Sequence, residues 1–225
     1  MDAAEAQSRP RALLLAPAGD PGWLADAARI LRDLGFVVQI DVDAPVADIA
    51  ADVDLVMASA AAGVPSSRIH ARRARGAVCA VVVPPVTEAA LLAMLAGQHY
   101  VALSAREAAG IAGAIAAQTF GNPAFAGELL QALVSSTRDD LAQLRRAGQD
   151  LEAVRGVAHR LKASAHYVGC HALRLMAQRL EHAARDGDAA TAAALAAIVA
   201  PTAARLLGLL ASLPCANHSD NAPQK

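Results

Sequence analysis

A row of cationic and small side chains recurs every three or four residues in the second half of the chain. Its members are Arg155, His159, Lys162, Ala163 and His166. Residues at this spacing stand along one side of an α-helix. Positive charges so placed repel one another and cost the helix roughly 0.2–0.5 kcal/mol per pair. The row therefore predicts a surface that an anion visits.

His159 has the chemistry of a phosphoryl acceptor. A solvent-exposed imidazole is a good nucleophile near neutral pH, since its unperturbed pKa is about 6.5. Lys162, one turn further on, can neutralise the oxygens of a transferred phosphoryl group. Ala163 has little bulk, so a partner's surface could close over the histidine. The alternative interpretation is an ordinary basic helix face, because exposed histidines are commonly only solvated.

The other side of the same segment is apolar. Its small and aliphatic residues also alternate at spacings of three and four: Leu151, Val154, Ala158, Leu161, Ala165 and Val168. This pattern predicts a helix that packs on one side and is open on the other. We expect Asp150 to cap its beginning and Gly169 to end it.

The residues around His159 resemble the histidine phosphotransfer (HPt) domain of bacterial phosphorelays. The family pattern is H-x-L-K-G-[SA], then a glycine, then a Leu-Glu pair, and this chain has His159-x-Leu161-Lys162-Ala163-Ser164, then Gly169, then Leu180-Glu181. Ala163 stands where the family usually has glycine, and His166 and Tyr167 replace smaller family residues. The resemblance covers the second half of the chain.

This resemblance implies a phosphoryl carrier rather than an enzyme. His159 would accept a phosphoryl group from the aspartyl phosphate of a receiver domain and pass it to another receiver, while Lys162 steadies its oxygens. The residues expected to form the docking rim are Arg155, Arg160, Ala163, His166 and Tyr167. The partner receiver would supply Mg²⁺, so this chain would need no metal or cofactor of its own.

The first half of the chain alternates short apolar runs with helical segments. The expected strands are Ala12–Leu15, Phe36–Ile40, Asp54–Met57, Val78–Val83 and Tyr100–Leu103. The expected helices begin near Pro21, Ala47, Ser67, Thr87 and Ala105. Such alternation predicts a doubly wound, five-stranded parallel sheet with helices on both faces. The runs are continuously apolar, as in strands buried on both sides.

This half resembles the flavodoxin-like receiver domain of response regulators without its chemistry. In the segment 16–20, which follows the first strand, only Asp20 is acidic. Ser59 occupies the position of the phospho-accepting aspartate, and Leu103-Ser104 replaces the Lys-Pro pair of the family. Serine lacks the carboxylate for acyl-phosphate chemistry, and a divalent cation would have too few oxygen ligands. The resemblance therefore implies a degenerate receiver that is not itself phosphorylated.

The predicted fold is thus an α/β receiver-like domain followed by an all-α bundle of four helices. The expected boundaries are a loose N-terminal segment at 1–10, the receiver-like domain at 11–118, the HPt bundle at 119–213 and a disordered tail at 214–225. In the last helix, Thr202 is expected to bond back to a carbonyl one turn earlier. Pro201 is expected to kink or interrupt that helix.

Composition limits the other classes of function. The 225 residues are 55% hydrophobic with a net charge of −1, which argues against nucleic-acid binding. The run from Ala77 to Gly97 is interrupted by Pro84-Pro85 and Glu88, so no membrane insertion is expected. The glycines form no nucleotide-binding motif. The three cysteines are odd in number and show no metal-ligand spacing, so a reducing cytoplasm is the expected location.

Two alternatives remain open at this point. The chain could be the C-terminal part of a hybrid sensor histidine kinase, where receiver and HPt modules often follow each other in this order. It could also be a docking or sequestering module that binds a partner without phosphotransfer. The sequence upstream of Met1 bears on the first alternative, and binding that is indifferent to His159 bears on the second.

Overall fold

The computed structural model describes residues 9–16, 22–42, 53–59, 78–82 and 85–214. The helices expected near Ala47 and Ser67 lie outside the described residues, as do Asp20, most of the N-terminal segment and nearly all of the expected tail.

The first half contains a parallel sheet and three described helices. Its elements are β1 (Arg11–Ala16), α1 (Gly22–Asp33), β2 (Val37–Val42), β3 (Leu55–Ser59), β4 (Val78–Val82), α2 (Glu88–Gly97) and α3 (Ala105–Gln118). The strand order is β2-β1-β3-β4, and every neighbouring pair is parallel. This is the order of the first four strands of a flavodoxin-like sheet. We call residues 9–118 the sheet half.

The expected fifth strand is wrong, since the described residues form a four-stranded sheet. Residues 100–104 have irregular backbone. The chain turns immediately after α2, where the Tyr100 N–H donates to the Leu95 carbonyl at 3.0 Å. The Ala102 N–H then donates to the Thr202 hydroxyl at 3.0 Å, 100 residues further along the chain. The segment is therefore bonded to the helical half instead of extending the sheet beside β4.

The second half consists of four consecutive helices. They are α4 (Pro123–Ala147), α5 (Leu151–Tyr167), α6 (His171–Arg185) and α7 (Ala189–Ser212). Asn122, Asp150 and Asp188 cap α4, α5 and α7 by accepting backbone N–H bonds in the first turn of each helix. The cap expected at Asp150 is thus confirmed, with the Ala153 N–H donating at 3.0 Å.

The last helix, α7, continues through Pro201 without a break, so the expected interruption is wrong. The bond expected at Thr202 is confirmed, because its hydroxyl donates to the Ile198 carbonyl at 2.7 Å. That bond adds a local link where the proline lacks an N–H. Val199 and Leu206 are fully buried on either side of the proline, and this packing supports the continuous helix.

By length and composition α7 is the one described helix that could cross a membrane, with a mean hydropathy of 1.8 over its most apolar window. In the folded protein its residues Leu195, Ile198 and Val199 are fully buried among neighbouring helices. The core helix of a bundle has the same composition, so hydropathy alone does not distinguish the two roles.

The sheet half and the helical bundle share one hydrophobic core. The same cluster of buried residues contains Leu14, Leu31 and Leu92 of the sheet half together with Leu173 and Leu195 of the bundle. The helix α2 packs along α7, and Glu88 of α2 forms a bidentate ion pair with Arg179 of α6. The sheet half therefore lies against α6 and α7.

Candidate functional site on α5

The helix α5 presents His159 to solvent because its opposite face is buried. Val154, Ala158, Leu161 and Ala165 are at most 3% exposed, whereas the side chain of His159 is 66% exposed. The predicted two-faced helix is confirmed, with Leu151 only partly buried at its first turn.

The turn after α5 brings α6 back alongside it. The Cys170 N–H donates to the Ala165 carbonyl at 2.9 Å, and the Gly169 N–H donates to the His166 carbonyl at 3.2 Å. These two bonds form a Schellman ending, which requires the positive φ of 71° that Gly169 adopts. The short connection makes α6 antiparallel to α5, so a residue late in α6 lies beside His159.

That residue is Glu181, whose carboxylate contacts both predicted site residues. Its Oε1 lies 2.9 Å from His159 Nδ1, and its Oε2 accepts a bond of 2.6 Å from Lys162 Nζ. The side chain of Glu181 is 19% exposed, so the carboxylate is largely covered while the imidazole remains open.

The electrostatics of Glu181 determine which nitrogen of His159 is free. Burial raises its pKa, but the hydrogen bonds from Lys162 and His159 prevail, and the pKa of Glu181 is lowered overall. The ionised carboxylate can only accept hydrogen bonds, so Nδ1 of His159 carries a proton toward it. A neutral imidazole protonated on Nδ1 has its lone pair on Nε2. In the neutral form of His159, Nε2 is therefore the nitrogen with a free lone pair.

Lys162 completes this group on the same face. Its side chain is 30% exposed, and one of its three N–H donors is used by Glu181. The other donors remain on the ammonium group, one turn from the imidazole that would carry a phosphoryl group. An anionic phosphoryl group on His159 would therefore meet a positive charge already held in place.

The cations expected in the docking rim are held by carboxylates of this chain. Arg155 pairs with Glu152 of the same helix, with Nε donating at 3.0 Å. Arg160 donates from Nε to Asp140 of α4 at 2.6 Å, and from Nη2 to Gln143 at the same distance. The repulsion expected along the row is therefore offset within the molecule, because acidic side chains lie next to the positive ones.

The contact between Arg160 and Asp140 joins a surface side chain to a buried one. The side chain of Asp140 is only 3% exposed, and burial raises the pKa of this carboxyl group despite the hydrogen bond and charge of Arg160. Arg160 thus links α5 to α4 beside the site. Of the remaining rim residues, Ala163 and His166 are exposed, and Tyr167 is 47% exposed.

Glu181 is the site residue that the sequence interpretation did not assign. The sequence marked this residue through the Leu180-Glu181 pair of the family pattern. In the structure, Leu180 of this pair is fully buried. The pattern did not indicate that the glutamate would bridge His159 and Lys162, because those residues lie 22 and 19 positions earlier in the chain.

Ser59, which was expected at the acceptor position of a degenerate receiver, lies in the sheet half. Ser59 is the last residue of β3, and its backbone pairs with Val82 at the end of β4. Among the described residues, no group of three or more histidine, cysteine or acidic side chains could hold a metal ion.

The architecture and the site together define a class: a helical bundle that carries a solvent-exposed, hydrogen-bonded histidine with a lysine beside it. Residues 128–213 match a family model described as the Hpt domain. The matched range runs from α4 to the end of α7 and includes His159, Lys162 and Glu181. An Hpt domain is therefore found in this part of the chain, and it indicates two-component phosphorelay signal transduction. No curated protein and no solved structure gave a significant match to the chain.

Proposed function

We propose that this protein is a phosphorelay carrier that accepts a phosphoryl group on His159 from the aspartyl phosphate of a receiver domain. The observation that carries the proposal is the hydrogen bond of 2.9 Å between Nδ1 of His159 and Glu181, on an imidazole that is 66% exposed. With Nδ1 donating to Glu181, Nε2 is the unprotonated and nucleophilic nitrogen of the neutral ring.

The transfer step follows from this geometry. The Nε2 lone pair attacks phosphorus, the new P–N bond forms, and the bond between phosphorus and the aspartyl oxygen breaks. The partner's aspartate leaves as a carboxylate and keeps the bonding electrons. Nδ1 retains its proton, so the phosphorylated ring is cationic and is stabilised by the adjacent Glu181 carboxylate. Lys162 neutralises the phosphoryl oxygens during the transfer.

The partners in this proposal are receiver domains of response regulators or hybrid kinases. The partner receiver holds the Mg²⁺, and this chain contributes the nucleophile and the docking rim around it: Arg155, Arg160, Ala163, His166 and Tyr167. The second transfer, from His159 to another receiver, is the reverse of the first. The cytoplasm, where response regulators act, is the proposed location.

The sheet half supports a receiver-like role without phosphorylation. Its strand order is that of the first four strands of a flavodoxin-like sheet, and serine stands at the end of β3 where a receiver has its acceptor aspartate. We propose that this half is a degenerate receiver. If the chain is the C-terminal part of a hybrid sensor kinase, the genomic sequence upstream of Met1 will encode a kinase core in the same reading frame.

The proposed function is tested by mixing the chain with a phosphorylated receiver and following acid-labile label. The wild-type chain is expected to take up label and to release it to a second receiver. The His159→Gln variant is expected to take up none. Equal labelling of that variant would contradict the assignment of His159, and binding without any labelling of the wild type would favour the docking module.

A further inference from the structure

The helix α6 lies between the sheet half and His159. Ala172, Leu175 and Arg179 of this helix contact the sheet half, and we call these residues the rear face of α6. They are spaced by three and four positions, so they lie on one side of the helix.

Each contact on the rear face is direct. The Ala172 N–H donates to the carboxylate of Glu107 in α3 at 2.9 Å. Leu175 packs on the backbone of Gly35, where an added Cβ would overlap the leucine side chain. Arg179 donates from Nε and Nη2 to the two carboxylate oxygens of Glu88 at 2.6 and 2.7 Å.

Glu181 projects from the opposite side of the same helix. It follows Arg179 by two residues, which is about 200° around the helix axis. Its carboxylate contacts His159 and Lys162, while Arg179 contacts the sheet half. The rigid helix between these two residues therefore joins the sheet half to the site.

We infer that the sheet half positions the phosphoryl acceptor by holding α6 at its rear face, with Glu88 and Arg179 as positioning residues for Glu181. The inference rests on the proposed function, and it adds a way to control the alignment of His159 with Glu181. A partner or ligand that displaces Glu88 would loosen the alignment of His159 without touching it.

The size of this effect follows from the geometry of hydrogen bonds. A contact of 2.9 Å between Glu181 and His159 is lost when the two helices move apart by about 1 Å. Misplacement of a reacting group by about 1 Å can cost a hundredfold in rate. The bidentate pair of Glu88 and Arg179 fixes orientation as well as distance, and both side chains are less than one-third exposed.

The test uses the full chain with Glu88→Gln, and it reads out the histidine directly. Nitrogen-15 NMR of the imidazole distinguishes the form protonated on Nδ1 from the form protonated on Nε2. A second readout is the rate of phosphorylation of His159 by phosphoramidate, a small donor whose P–N bond breaks as ammonia leaves. We expect Glu88→Gln to reduce the Nδ1-protonated population and to slow phosphorylation by about tenfold.

Matched variants separate positioning from general damage. Arg29→Gln removes an ion pair that lies within α1, at 3.7 Å from Asp33, and should leave both readouts unchanged. If Glu88→Gln does not fold, Arg179→Lys takes its place, because it keeps the charge but loses the bidentate geometry.

The inference is overturned if the folded variant keeps the wild-type tautomer and the wild-type rate. It is also overturned if Arg29→Gln has the same effect as Glu88→Gln. A tautomer shift in Glu88→Gln together with a wild-type chain that accepts no phosphoryl group would support the positioning and contradict the proposed function. The two ideas can therefore fail separately.

Discussion

At the scale of single residues, the site depends on one carboxylate with two partners. Glu181 holds Nδ1 of His159 and Nζ of Lys162 with separate oxygens. The same carboxylate therefore sets the tautomer of the imidazole and holds the ammonium group of Lys162 in place. In the proposed transfer, Glu181 orients the nucleophile without contacting the phosphoryl group.

We predict that Glu181→Gln lowers the rate of phosphoryl acceptance by roughly tenfold to hundredfold, the usual effect of losing a residue that orients a histidine. The amide keeps the shape of the side chain but loses the charge that stabilises the phosphorylated ring. The measurement is single-turnover labelling by a phosphorylated receiver. Asp33→Asn, which alters an exposed ion pair with Arg29 in α1, away from the site, is the control. An unchanged rate for Glu181→Gln would contradict the role of the carboxylate.

We also predict that Lys162→Gln slows phosphoryl acceptance while leaving the tautomer of His159 unchanged. In the proposed transfer, the ammonium group neutralises the phosphoryl oxygens, whereas Glu181 determines the tautomer. A loss of roughly a hundredfold in rate is expected for one donor to developing charge, the low end of such effects. Nitrogen-15 NMR and labelling of the same sample check both parts. A shifted tautomer at an unchanged rate in Lys162→Gln would contradict the role assigned to Lys162.

At the scale of elements, most features of α5 could be predicted because they are local. The apolar stripe, the cap at Asp150 and the ending at Gly169 each depend on residues within a turn or two. The irregular backbone at 100–104, in place of the expected fifth strand, was not predictable, because the Ala102 N–H bonds to Thr202 in a distant helix. The continuity of α7 at Pro201 likewise depends on tertiary packing, which a local rule for proline does not include.

The ending of α5 provides a stability prediction with a control of opposite sign. Gly169→Ala should destabilise the protein by about 1–2 kcal/mol, because an L-residue is strained at a φ of 71°. Gly156→Ala lies inside the same helix with only the flexible end of Arg160 near its Cβ, and it should stabilise by up to about 1 kcal/mol. Urea unfolding of both variants checks the signs. A Gly169→Ala variant that is as stable as the wild type, or more stable, would contradict the assigned ending.

The contact between the irregular segment and α7 provides a second prediction. Thr202→Val removes the acceptor of the buried Ala102 N–H and should cost about 1–3 kcal/mol in the free energy of unfolding. Thr202→Ser keeps the hydroxyl and should cost less. If chemical denaturation gives the same value for both variants, the hydroxyl does not link the two halves.

At the scale of the whole molecule, the two halves are joined by a shared core and by buried polar contacts. Glu107 of α3 is 4% exposed, and it accepts the first N–H bonds of α6, where Cys170 offers no side-chain cap. Burial raises the pKa of Glu107, although backbone N–H groups of Ala172 and Ser104 oppose the shift.

The sign of the resulting pH dependence follows from that shift. A raised pKa means that the folded protein binds the proton of Glu107 more tightly than the unfolded chain. Its contribution to stability is complete below the ordinary glutamate value of about 4.3 and is lost as the pH rises through the folded pKa. The free energy of unfolding of the wild type, relative to Glu107→Gln, should therefore fall with rising pH across this window. Urea titrations at several pH values test this, and a rising difference would contradict it.

The most direct test of the whole account is to locate the phosphoryl group on the imidazole of His159. Phosphorus and nitrogen-15 NMR of the chain after labelling by a receiver identify the phosphorylated atom. We predict a bond between phosphorus and Nε2, because Nδ1 carries the proton that is donated to Glu181. Phosphorylation on Nδ1, or on a residue other than His159, would contradict it.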